Sequence, residues 1–147
     1  MRYHQGVQIT RDVVLPLSTD AAWELLTDTD ELAAWLGAVA ASDGVRGGAE
    51  AVLVEPDGLI RRLVVDEVVD GERLGFTWWV DGDPDEVSHV DLVVTGAGDH
   101  ARVTVTERTG PRASVAGGVR RLAVGGGWTG RLADLELRAM LRETVCV

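Results

Sequence analysis

The chain has 147 residues, 46% of them hydrophobic, and a formal net charge of −10. That suits one domain over residues 1–147 with a sizeable core, excludes a disordered chain, and leaves no apolar run near the roughly 18 residues of a membrane span. The acidic balance also argues against nucleic acid and against an anionic membrane surface, because both need clustered cations. All 14 basic residues are Arg, and the densest stretch, "GGVRRLAVGGGW", offers only Arg120 and Arg121. Cys146 stands alone, so no internal disulfide forms. "MRYHQGVQITRDVVLP" lacks the pattern of a secretory signal, and a cytoplasmic location is expected.

"VQITRDVVL" (7–15) reads as an opening strand ended by Pro16. In "STDAAWELLTD", Ser18 or Thr19 caps a short helix whose apolar face carries Ala22, Leu25 and Leu26. A second short helix follows, with Asp28 and Glu31 spaced as a capping box and Leu32, Trp35 and Leu36 as its stripe. Five strand-like runs come next: "AEAVLVE", "LIRRLVVDEVV", "ERLGFTWWV", "EVSHVDLVVT" and "HARVTVTER". The turn signals between them, "PDG", "DGE", "DGDPD" and "GAGD", are short enough to force antiparallel neighbours. Last, "GWTGRLADLELRAMLRE" places Trp128, Leu132, Leu135 and Ala139 on one face of a long helix. These elements predict an α+β fold, a six-stranded antiparallel sheet curved around a long C-terminal helix, with two short helices after the first strand.

Three stretches resemble the START-like (SRPBCC, helix-grip) superfamily, and within it the branch of heat-shock-protein-90 ATPase activator homologues. "VVLPLSTDAAWELLTDTDELAAWLG" is similar to that branch's opening, through Ala22-Trp23, Thr27-Asp28 and Trp35-Leu36. "DEVVDGERLGFTWW" resembles its central segment at Glu67, Val68, Arg73, Leu74, Phe76, Thr77 and Trp78, and Gly127-Trp128 resembles the opening of its last helix. The resemblance implies the helix-grip fold and a hydrophobic ligand held between sheet and terminal helix. Some members are cyclases or dehydratases. Members often carry His or another polar group near the end of the last strand, where this chain has Glu107, so chemistry that depends on that His does not transfer.

Alternation along the strands identifies the candidate pocket. Leu74, Phe76, Trp78 and Val80 share one face, opposite Trp79. Ser88, Val90, Leu92 and Val94 form a matching face, as do Val103 and Val105 with Glu107. With Trp35 and Leu36 from the second helix, and Trp128, Leu132 and Leu135 from the last, they outline an apolar chamber. The competing reading is that all of them simply pack. Glu107 is the sharpest polar candidate, poised to bind a ligand hydroxyl or to act as acid/base; its alternative is exposure at the strand end beside Arg108 or Arg112. Trp79 is expected to cover the sheet's outer face, to lean over Arg61 or Arg62, or to anchor a homodimer.

Other motifs carry little. Asp81, Asp83 and Asp85 alternate as in a calcium loop, but Glu86 and Leu92 stand where that loop needs Gly and Glu. "VGGGWTG" lacks the Lys-Ser/Thr of a P-loop and reads as a hinge or pocket mouth. His4, His89 and His100 are scattered, so no metal site is expected, and no cofactor. The residues thus favour a carrier of a small hydrophobic molecule, with Trp35, Leu36, Phe76, Trp78, Val90, Leu92, Val105, Glu107, Trp128, Leu132 and Leu135 as contacts. A cyclase or dehydratase using Glu107, and a chaperone-associated module using the outer sheet face, are the alternatives.

Overall fold

Tight turns between short apolar strands build a seven-stranded antiparallel sheet in the computed structural model, which describes residues 7–42, 44–55, 57–109 and 118–145. His4, Arg112 and Cys146 lie outside the described residues. In chain order the elements are β1 (Val7–Leu15), α1 (Thr19–Thr27), α2 (Thr29–Trp35), β2 (Ala38–Ser42), β3 (Glu50–Val54), β4 (Ile60–Val69), β5 (Arg73–Val80), β6 (Asp83–Ala97), β7 (His100–Thr109) and α3 (Gly118–Val145). The sheet order is β1-β7-β6-β5-β4-β3-β2, so the first strand closes on the last and the others form a meander. All six expected strands are present. The short strand Ala38–Ser42 extends the sheet at its edge; its run "AVAAS" has a single β-branched residue, Val39, and no apolar/polar alternation to announce it.

The two short helices start where the sequence signals them. Ser18 Oγ accepts the Ala21 N–H at 3.1 Å and Asp20 lies in the first turn of α1, near its positive end. Asp28 caps α2 by accepting the Asp30 N–H at 2.9 Å. The expected capping box is not completed. Asp28 N–H is already taken by Glu24 O, which ends α1, and the Glu31 carboxylate reaches across to Arg138 of α3 instead. Two caps one helix apart compete for the same backbone group, and the helix end wins.

The "DGDPD" turn is tighter than its composition suggests, since β6 begins at Asp83 and only Asp81 and Gly82 connect the strands. Gly82 has φ +87, a left-handed conformation that costs a glycine little. The Gly-rich segment before Trp128 is not a hinge. The helix expected to open at Gly127 runs from Gly118, straight through that segment. No helix among the described residues is long and apolar enough to cross a membrane.

The core lies between the inner sheet face and the helices. Ala22, Leu25 and Leu26 of α1, Trp35 of α2, and Trp128, Leu135 and Ala139 of α3 are all buried there with Phe76, Trp78, Leu92 and Val103. Leu135, fully buried, should be sensitive to truncation. Leu135→Ala is expected to lower stability by about 2–5 kcal/mol in urea unfolding, with m unchanged.

Candidate functional site

Strand parity decides what faces inward, and along β7 it is unbroken: β7 pairs with both β1 and β6 without a register shift. Ala101, Val103, Val105 and Glu107 therefore point to the core, and Glu107 is only 1% exposed. It is neither at an exposed end nor paired with Arg108, whose Nε donates to Gln8. A carboxylate in such a place needs partners. Trp78 Nε1 donates to Glu107 Oε2 at 2.8 Å, and Trp128 Nε1 donates to Oε1 at 2.6 Å. The two indoles lie 5.7 Å apart between centroids, and Phe76 meets Trp78 edge-on at 5.3 Å.

Around this clamp sit buried charges that the strand and helix patterns did not single out. Arg61, on β4, points inward with its guanidinium carbon 4.6 Å from the Trp78 ring. Arg131, one turn after Trp128, lies 5.1 Å from the Trp78 ring and 5.3 Å from that of Trp128. Both guanidiniums bond the same oxygen of Glu55, Arg61 through Nε at 2.9 Å and Arg131 through Nη2. Arg131 Nε also donates to the Leu36 carbonyl at 3.0 Å, supplying a donor at the C-terminal end of α2. Burial pushes Arg131 below the ordinary arginine value; Glu55 opposes that shift, Arg61 adds to it, and Glu107 opposes it. Two arginines facing Glu55 and Glu107 balance in charge, the condition under which buried ions are tolerated. A signal for both existed: Arg61 shares parity with Leu63 and Val65, and Arg131 falls inside the apolar stripe of its helix.

Trp79 takes the outer face and is half-buried. Its expected stacking on Arg61 is not formed, because Arg61 turns inward onto Trp78. Arg62, its cross-strand neighbour, donates to Asp81 at 2.8 Å. The outer face also carries His89, between Asp66 at 3.0 Å and Asp91 at 3.5 Å, as its outward parity predicts.

Among the described residues, Trp78, Glu107 and Arg131 pack beside Trp128. A hollow exists, but it lies under α2, toward β3 and β4. Its free volume is about 30 Å³, lined by Leu32, Trp35, Leu36, Val39, Gly44, Val45, Ala51, Leu53, Leu63, Val65, Leu74, Phe76 and Leu92. Val39, Gly44 and Val45 are half-buried and form its mouth, whereas Leu53, Phe76 and Leu92 form a buried floor. Of the expected contacts, Trp35, Leu36, Phe76 and Leu92 line this hollow. Trp78, Val90, Val105, Glu107, Trp128, Leu132 and Leu135 are buried elsewhere in the same core. The mouth residues went unnoticed because they belong to a weakly patterned strand and the loop after it.

A curved antiparallel sheet, two short helices after its first strand and a long C-terminal helix on its inner face define the START-like, helix-grip class. The model of the family described as Activator of Hsp90 ATPase homolog 1-like protein matches residues 16–139, and the chain belongs to that family. Among solved structures, DynU16, from the dynemicin biosynthetic locus, is 25% identical with a TM-score of 0.74; the match covers 88% of this chain but only 45% of DynU16. CalU16 from Micromonospora echinospora is 20% identical, covers 97% of this chain and 83% of its own, and has a TM-score of 0.74. The AHSA1 protein of Silicibacter pomeroyi is 24% identical over 92% of this chain and 99% of its own, with a TM-score of 0.72. No match was found among curated proteins.

The clamp makes a measurable claim. Glu107→Gln keeps one acceptor oxygen but turns an amide N–H₂ toward the second indole, and should lower stability by about 2–3 kcal/mol. Trp128→Phe should cost a similar amount, and the two should be strongly non-additive in a double-mutant cycle by urea unfolding. Additive costs would mean the carboxylate and the indole act independently.

Proposed function

We propose that this domain is a cytoplasmic carrier that holds a small hydrophobic molecule in the hollow beneath α2 and releases it unchanged. The observation that carries this reading is the hollow itself. Its lining residues are leucine, valine, alanine, glycine, phenylalanine and tryptophan, and its floor is formed by the inner sheet face. Fully burying an apolar side-chain-sized group is worth about 1.5–3 kcal/mol, and the molecule needs no charge to be held. The ligand contacts on this reading are Trp35, Leu36, Phe76, Leu92 and Ala51, joined by Val39 and Val45 at the mouth.

Size shapes the mode of binding. The free volume of about 30 Å³ exceeds the roughly 10–15 Å³ that one water needs and falls well short of the roughly 150 Å³ of a cavity that takes a benzene ring. A ligand therefore lodges one small end against the Leu53–Phe76 floor and lies across the mouth, or it parts α2 from the sheet. Family membership and the structural neighbours fit such a ligand-holding role and equally the biosynthetic branch of the superfamily. The state of Glu107 supports a carrier over a catalyst. Both its oxygens are engaged by indole N–H groups and it does not line the hollow, which leaves no free carboxylate to meet a substrate there.

Two measurements test this. Native mass spectrometry of freshly purified protein should show a co-purified small molecule. Cyclopentane, titrated in as a probe, should raise Tm in a concentration-dependent way. Ala51→Phe, which grows a ring into the hollow, should abolish that rise while remaining folded by circular dichroism. An unchanged Tm in the natural protein would refute the carrier reading.

A further inference from the structure

Two buried arginines converge on a single carboxylate oxygen. Arg61 and Arg131 are each 8% exposed, and both bond Glu55 Oε2, Arg61 through Nε and Arg131 through Nη2. A guanidinium carries five N–H donors in a planar fork that matches both oxygens of a carboxylate. Among the described residues that fork is under-used, since the one further bond is from Arg131 Nε to the Leu36 carbonyl. The remaining guanidinium nitrogens are not sealed orphans: among the described residues, the buried side-chain nitrogen without a partner is Trp35 Nε1. Side-chain exposures of 9% at Arg61, 10% at Arg131 and 15% at Glu55 keep the trio in contact with solvent.

The arginines are held in place and the carboxylate less so. Arg61 lies 4.6 Å from the Trp78 ring and Arg131 5.3 Å from that of Trp128, so both guanidiniums are backed by aromatic faces. Glu55 follows the last residue of β3, in the turn before β4. Its main chain is fixed there by bonds with Leu59 and Gly58, whereas its side chain is held by the two arginines.

We propose that Arg61 and Arg131 form a binding site for a small monocarboxylate, which Glu55 fills as an internal stand-in until the ligand displaces it. Charge favours a carboxylate over a phosphate dianion. With Glu55 swung out, two guanidiniums and Glu107 leave one positive charge, which a monoanion balances and a dianion overshoots. A free carboxylate can also offer one oxygen to each arginine, which Glu55 does not. Burial and the neighbouring Arg61 both push Arg131 below the ordinary arginine value, so an anion of some kind is needed to keep the pair charged. Neither arginine nor Glu55 lines the hollow under α2, and the site does not rest on the carrier reading.

Acetate is the probe, with acetamide and sodium chloride at matched ionic strength as controls. In the natural protein, acetate should shift the ¹⁵N-resolved Nε–H resonances of Arg61 and Arg131 saturably, and neither control should. Glu55→Ala should bind acetate at least about tenfold more tightly, the factor expected when an internal competitor fills the site about nine-tenths of the time. Arg61→Met should abolish the saturable shift at Arg131. The measurement on the natural protein stands even if Glu55→Ala does not fold. No shift with acetate, an equal shift with sodium chloride, or a response confined to Glu55→Ala overturns the site and leaves the trio a structural ion network. Unchanged affinity in Glu55→Ala, or saturation that survives Arg61→Met, overturns it equally, because acetate then binds elsewhere.

Discussion

One buried carboxylate sets the geometry of this molecule. Glu107 stands on β7, takes an indole hydrogen from β5 and another from α3, and so fixes the terminal helix against the sheet. Apolar burial alone is non-directional and would tolerate small rotations or slides of α3. Two short charge-assisted hydrogen bonds to opposite oxygens of the same group do not. The arrangement also explains why both ring donors can be buried without penalty, since each finds a full acceptor. Arg61, Arg131 and Glu55 complete it by bringing the buried charge to balance and by attaching α3 to the end of α2 through the Leu36 carbonyl.

The position of the hollow follows. Two indoles, a carboxylate and a guanidinium pack together around Trp128 on α3's buried face. A hollow among the described residues lies farther along the sheet, beneath the seven-residue helix α2 and beside the edge strand β2. Those elements are short, and the wall they make is partly open at Val39, Gly44 and Val45. The firmly tied end of the fold and the accessible end are thus separated, with Arg131 bonded to the last residue of the wall. A ligand entering under α2 would act against the Arg131–Leu36 contact and not against the Glu107 clamp.

Membership of the family establishes architecture and ancestry, while activity is a property of the site. The neighbours share the fold at low sequence identity, and the interior of this chain holds a carboxylate committed to two tryptophans. The interior is thus polar at one end, around Glu107, and apolar at the other, around the hollow.

The sequence by itself determined the elements whose signals are local. Alternation along β5 is enough to send Trp78 inward and Trp79 outward, and the helix stripe places Trp128 and Leu135 on the buried face, whereas Glu107 stayed open between an inward place and an exposed strand end. Ser18 and Asp28 mark their helix starts because a cap acts over two or three residues. Only the tertiary structure decided the rest. The partners of Glu107 lie 29 and 21 residues away in the chain, on separate elements, so no periodicity announces them. The capping box failed because a neighbouring helix end claimed its donor, and β2 formed because β3 offered it an edge. The location of the hollow is the least legible of all, because free volume is a small remainder after large side chains have packed, and that remainder depends on every neighbour at once.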